Sequence, residues 1–199
     1  MNLRWLIVAG TGFVILSTSI VLARKPSISR TESRLFRTVN RLPDGLFPLL
    51  WLPMQLGNLV VGTLVGLLVA LVDGDLAVAL GVVFAAALKL VVERVVRKEM
   101  ADHLADRQRP GTSQVDPDLR GGDVPSAGPS FPSGHVILVA GIGCVVAANL
   151  RAEWWWVPIV LTALVMVGRV YVGAHNPLDV VAGLGAGLVL GGTIATLVN

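Results

Sequence analysis

The chain has 199 residues, of which 54% are apolar and 15% charged, with a mean hydropathy of +0.73. A soluble domain carries about 25% charged residues, so this composition excludes an ordinary water-soluble globule. The length predicts one domain over 1–199. Lys and Arg total 16 against 13 Asp and Glu, a net charge of +3, and the basic residues are clustered. The one cysteine, Cys144, sits in an apolar run; it excludes an intrachain disulfide framework or a thiolate metal cluster and reads as a small buried hydrophobe.

A bilayer core needs roughly 20 apolar residues per helical span. Six apolar runs approach that length, at about 3–23, 50–72, 76–96, 133–150, 154–172 and 177–198. They predict an all-α, six-transmembrane-helix bundle. The first is long for a signal-peptide core and lacks a small-x-small site before Arg24, so it reads as a retained span. Next, residues 29–42 place Leu35, Phe36, Val39 and Leu42 on one helical face and Arg30, Arg34, Arg37 and Arg41 mostly on the other. With Ser29 and Glu32 at capping-box spacing, this segment predicts a short interfacial amphipathic helix drawn to anionic headgroups.

Pro48 and Pro53 interrupt the second run, predicting an interfacial or re-entrant start and a true span from about Leu56 to Val72. Gly62 and Gly66 in that run, and Gly183, Gly187 and Gly191 in the sixth, have the small-xxx-small spacing that lets helices pack closely. The third run acquires Lys89, Glu93 and Arg94, and the fifth carries Arg169 near its end.

Alternating spans bring the 24–45 loop, the 97–132 loop and the 173–176 turn to one side, where ionisable residues gather. The first cluster, Arg97 to Pro110, holds Lys98, Asp102, His103, Asp106, Arg107 and Arg109; a basic run at a membrane boundary is by itself usually topological. The second, Ser130 to His135, puts Pro132, Ser133 and Gly134 at a helix start, where free N–H groups and a hydroxyl form an anion site. The third runs from Arg169 to Asp179; Pro177 opens a helix, and Asp179 in its first turn can reach back to His175. Together they suit the holding of a tetrahedral dianion and its attack. Zinc on His103, His135 and His175 is the rival reading, opposed by the absence of close histidine spacing and by the arginines.

These residues resemble the type 2 phosphatidic acid phosphatase superfamily, membrane lipid phosphate phosphatases that share a core with vanadium haloperoxidases. The family pattern is a lysine, six residues and Arg-Pro; then Pro-Ser-Gly-His; then Ser-Arg, five residues, His, three residues and Asp. The second part stands at Pro132 to His135, and the third at Arg169, His175 and Asp179 with Gly168 in place of its serine. The resemblance implies a metal-independent phosphatase without cofactors. His175 is then the nucleophile that becomes a phosphohistidine, with Asp179 fixing its tautomer, and His135 is the general acid and then base. Arg109, Arg169, Ser133 and the Gly134 N–H hold the phosphoryl oxygens.

The first part departs from the pattern. Seven positions before Arg109 stands Asp102, and the nearest upstream lysine, Lys98, is eleven away. Seven and eleven residues return a helix to nearly the same face, so a four-residue insertion leaves Lys98 as the expected phosphate-binding lysine, with Arg97 and Arg107 as substitutes. The Pro- and Gly-rich loop 111–131 reads equally as a gate over the site or as a linker.

The expected substrate is a phosphomonoester or diphosphate of a diacylglycerol or polyprenyl lipid, in a bilayer, with no nucleic-acid partner and no oligomeric state indicated. The alternative is a catalytically impaired lipid-phosphate-binding or carrier subunit, favoured only by the irregular first motif. Of the 16 Lys and Arg, only Arg4 and Arg151 lie opposite the motif face. For a protein expected in the plasma membrane, the positive-inside rule points that face to the cytoplasm, whereas many lipid phosphatases of the resembled family face outward, and the sequence leaves the two open.

Overall fold

The computed structural model describes residues 2–25, 27–72, 74–99, 107–122 and 124–198. Among them the elements are helical, in the order α1 (Leu3–Ala23), α2 (Arg30–Asn40), α3 (Phe47–Met54), α4 (Leu59–Val72), α5 (Leu76–Glu99), α6 (Pro110–Ser113), α7 (Gly134–Ala147), α8 (Trp156–Tyr171) and α9 (Pro177–Val198). Single 3-10 turns at Asp44–Leu46, Gln55–Gly57 and Ala152–Trp154 precede α3, α4 and α8.

Four stretches are long and apolar enough to cross a bilayer alone: Leu3–Ala23, Leu76–Val96, Ala152–Tyr171 and Pro177–Val198. The expected second span is broken. Segments Asp44–Gly57 and Leu59–Val72 meet at a 77° bend, where Asn58 is extended with ψ 135° and its Oδ1 accepts from the N–H groups of Val60 and Val61 at 3.0 and 3.3 Å. Counting that pair as one gives five stretches, among the described residues, that are long and apolar enough to cross. The helix in the fourth run, α7, has only 14 residues, about 21 Å at 1.5 Å per residue. Its surroundings explain why a short helix suffices: it is buried along most of its length, walled by protein rather than lipid.

Helix α9 is the hub, and its glycines form two stripes. A Cβ on Gly187 would meet Ala140 Cβ of α7 at 2.6 Å, and one on Gly185 would meet the Leu16 backbone nitrogen of α1 at 2.6 Å. Both neighbours close to backbone contact because no side chain intervenes, which is what the small-xxx-small spacing predicts. Outward, α4 and α5 expose Leu64, Leu68, Leu71, Leu76, Leu80 and Phe84, a surface suited to lipid and not to water. At the end marked by Arg4, Trp154 and Trp156 are exposed, and the Arg4 guanidinium lies 4.7 Å from the Trp155 ring centroid, an arrangement suited to a membrane interface.

The amphipathic helix forms at the predicted place, capped by Ser29, whose Oγ accepts from Glu32 N at 3.1 Å. Its apolar face is divided: Leu35 stays exposed, while the rest turns toward protein. Phe36 and Asn40 are 1% and 2% exposed, with Phe36 packed among Val136, Val139, Val165, Val170 and Val180. Arg30, Arg34, Arg37 and Arg41 stay exposed.

Candidate active site

The turn from α8 to α9 carries His175. Gly173, at φ +75°, ends α8 in the left-handed conformation, and the N–H groups of Ala174 and His175 return to the Arg169 carbonyl at 3.0 and 3.3 Å. Pro177 then opens α9 at a position where no N–H is needed. Asp179 caps the turn: its Oδ2 accepts from Asn176 N at 2.8 Å. These bonds leave the imidazole almost no freedom, and His175 is 3% exposed.

His175 Nδ1 lies 2.9 Å from the Ser130 carbonyl. A carbonyl only accepts, so Nδ1 carries the proton and Nε2 the lone pair. The Ser130 carbonyl thus fixes the tautomer, the role that the resemblance implies for Asp179; Asp179 Oδ2 stands 3.9 Å from Nδ1, close enough to act on the charge of the ring. Burial holds the imidazole below its ordinary range. The adjacent Asp179 opposes that shift, and the Arg169 and Arg109 charges add to it.

Basic groups surround this turn. Arg109 Nη1 donates to the Ala174 carbonyl at 2.9 Å, Arg169 is 7% exposed, and Asn176 is fully buried. The Asn176 amide donates to the Gln108 carbonyl and Ser113 Oγ, each at 3.2 Å, and its Oδ1 accepts from Gln114 Nε2 at 2.7 Å, tying the Arg109 segment to the nucleophile turn. Arg107 Nε donates to Asp179 Oδ1 at 2.8 Å, and Arg107 Nη2 reaches Glu32 Oε1. Burial pulls the Arg107 pKa down, but Asp179 and Glu32 together more than offset it, so the group is held above its ordinary value.

The N-terminus of α7 completes the site. Ser133 N donates to the Asp179 carbonyl at 3.0 Å, and Ser133 Oγ is buried with no hydrogen-bond partner among the described residues. His135 follows, with Gly57 against it: a Cβ there would lie 2.6 Å from both Cβ and Cδ2 of His135. A small polar cavity beside His135 and Arg169 is walled by Phe47, Gln55, Asn58 and Val124. Against Gly134 lies the Glu93 carboxylate, at 2.7 Å from the position of a Cβ, and Glu93 pairs with Lys89 at 2.6 Å. The charge of Lys89 is felt at His135.

Of the residues picked from the sequence, His135, Arg109, Ser133, Gly134, Arg169, His175 and Asp179 converge. Lys98 does not join them; it is exposed at the far end of α5. His103, Asp102 and Asp106 lie outside the described residues, and among those described no group of three or more His, Cys, Asp or Glu could hold a metal ion.

Loop 111–131 is pinned rather than a free linker. Asn40 Nδ2 donates to the Asp118 and Tyr171 carbonyls at 2.8 and 2.9 Å, Asp118 N donates to Asn40 Oδ1 at 2.9 Å, and Arg120 pairs with Asp44 at 2.8 Å. Sequence reasoning missed Glu32, Asn40, Gly57 and Asn176 and demoted Arg107. Glu32 did leave a signal, as the one acidic residue between Arg24 and Arg41.

Residues 75–199 match the family model described as PAP2 superfamily. An undecaprenyl-diphosphatase of Sulfolobus acidocaldarius is 46% identical over 55 residues, and the bacitracin transport permease protein BcrC of Bacillus licheniformis is 42% identical over 55; each match covers 27% of this chain and 26% of the relative. The matched stretch thus spans about a quarter of those relatives' length. Among solved structures, Aquifex aeolicus LpxE superposes with a TM-score of 0.68 at 22% identity, covering 82% of this chain and 93% of that one. A transmembrane PAP2-type phosphatidylglycerolphosphate phosphatase from Bacillus subtilis gives 0.64 at 20%, covering 94% and 95%. At those identities the likeness establishes the fold: an all-helical membrane fold.

Proposed function

Because this chain belongs to the PAP2 superfamily, we propose that it is a metal-independent membrane lipid phosphatase working through a phosphohistidine at His175. One observation carries the reading: Nδ1 of a buried histidine is committed to the Ser130 carbonyl, which leaves Nε2 as a neutral nucleophile among guanidinium groups. Nε2 attacks phosphorus, and the bond to the leaving lipid oxygen breaks as His135 supplies its proton. Water, deprotonated by His135, then attacks phosphorus; the P–N bond breaks and inorganic phosphate leaves. Arg109, Arg169, Ser133 Oγ and the Gly134 N–H stabilise the oxygens as charge redistributes. The lysine contribution is assigned to Lys89, because Lys98 stands off the cluster.

Among candidate lipids, a polyprenyl diphosphate comes first, on the strength of the stretch shared with the undecaprenyl-diphosphatase. Phosphatidic acid, phosphatidylglycerol phosphate and a polyprenyl-phosphoryl sugar phosphate follow. The displaced first motif favours the rival reading of an impaired lipid-phosphate-binding subunit. Phosphate release from these lipids by the purified protein, with chelator present, separates the two. Release that persists with chelator supports the enzyme, and silence from a folded protein on every lipid supports the binding subunit. On sealed vesicles of defined sidedness the same assay reads orientation, for which the arginine bias supports a cytoplasmic site.

A further inference from the structure

Glu32 belongs to α2, outside the stretch that matches the family model, yet its carboxylate reaches the nucleophile turn. In a capping box the third-position Glu turns back to the cap N–H; here Glu32 Oε1 turns inward and accepts from Arg107 Nη2 and from Leu178 N, the latter at 2.9 Å. Leu178 N is one of the unpaired donors at the start of α9. Arg107, 5% exposed, is thereby shared between Glu32 and Asp179, the carboxylate beside His175.

From this juxtaposition, and resting on His175 as nucleophile, we infer that Glu32 is a positioning residue for catalysis: it divides the charge of Arg107 so that Asp179 keeps negative charge for the His175 imidazolium. Glu32, Arg107 and Asp179 together carry one net negative charge. Attack through Nε2 leaves the phosphorylated ring protonated at Nδ1 and cationic, so that net charge stabilises the intermediate. Without Glu32, Arg107 belongs to Asp179 alone, and the pair facing the ring is neutral.

The other titratable groups near His175 are Arg169 from α8, Arg109 from the loop and His135 from α7. The two guanidinium charges disfavour a cationic ring. Glu32 therefore acts on the favourable side of a balance in which positive groups are the majority, where a lost negative charge is felt. By the same balance, losing it makes the free imidazole harder to protonate, so the neutral form persists to lower pH.

The test compares wild type, Glu32→Gln, Glu32→Asp and His175→Ala, all full-length in detergent, reading kcat and KM for phosphate release across pH and the midpoint of thermal unfolding. Glu32→Gln keeps shape and a hydrogen-bond acceptor but no charge. It is expected to lower kcat about tenfold or more with KM within about twofold, and to move the acid limb of kcat/KM to lower pH, whereas Glu32→Asp restores the limb toward wild type. Wild-type kcat and limb in Glu32→Gln would overturn the inference. So would kcat, KM and thermal midpoint failing together over an unmoved limb, which is the mark of a docking contact. A wild type that releases no phosphate, or a fully active His175→Ala, overturns the underlying phosphatase reading instead, and this inference with it.

Discussion

Lys89 and Lys98 lie nine residues apart on α5, which sets them about 13 Å apart along the axis and on opposite faces. Only the face bearing Lys89 and Glu93 meets Gly134. Removing Lys89 alone leaves the largely buried Glu93 without this partner, a destabilising change in its own right, so Lys89→Ala is best paired with Glu93→Gln. That double variant is expected to lose on the order of 100-fold in kcat/KM, while Lys98→Ala stays within about twofold; the reverse order, read from the same phosphate-release kinetics, restores the lysine role to Lys98. The two lysines also mark where single residues are legible in the sequence. His135, His175 and Asp179 stand out because their chemistry demands those side chains at those spacings. Ser130 acts through a carbonyl that any residue carries, so nothing in its identity announces the role. Lys89 was visible as a charge in an apolar run, but helical spacing from Arg109 pointed to Lys98, and spacing fails once the helix does not continue to Arg109.

Helices α3 and α4 show the same limit for elements. Pro48 and Pro53 foretold a break, and the break is there, but its purpose becomes clear only when Gly57, at the end of the 3-10 turn, is found against the imidazole of His135. Gly57→Ala is expected to push that ring aside and reduce kcat by roughly 10- to 100-fold, because displacement of a catalytic group by about 1 Å costs on that order. Gly10→Ala, on α1 with nothing within 4 Å of the added Cβ, is the neutral control; equal activity in both variants would show that the 77° bend does not position His135. For α2 the periodicity gave the helix, its cap and its polar face correctly, yet it could not say what meets the apolar face. An apolar stripe is satisfied by lipid or by protein alike, and here Phe36 is taken by α7, α8 and α9.

Across the whole molecule, charge and packing divide the ends. One end gathers most of the arginines, the loop pinned by Asn40 and Arg120, and the nucleophile turn; the other carries Arg4, Arg151, Trp154 and Trp156. Between them α9 packs glycine by glycine against α1 and α7, so the turn at its start is held by a rigid body, as a site of this kind needs. Hydropathy showed the membrane character and the gathering of the motifs on one side, because both follow from run length. It did not distinguish the buried 14-residue helix or the bent pair from ordinary spans, because in composition they look alike. Covalent attack by His175 is tested by trapping the phosphohistidine. The protein is mixed with a lipid substrate labelled in its terminal phosphate and denatured at alkaline pH, and the label is mapped. No Lys or Arg follows Arg169, so trypsin isolates the C-terminal peptide with His175 in it. Label is expected on that peptide at His175 and absent from His175→Ala; phosphate release from the wild type with no label there, or label on another residue, would rule out attack by His175.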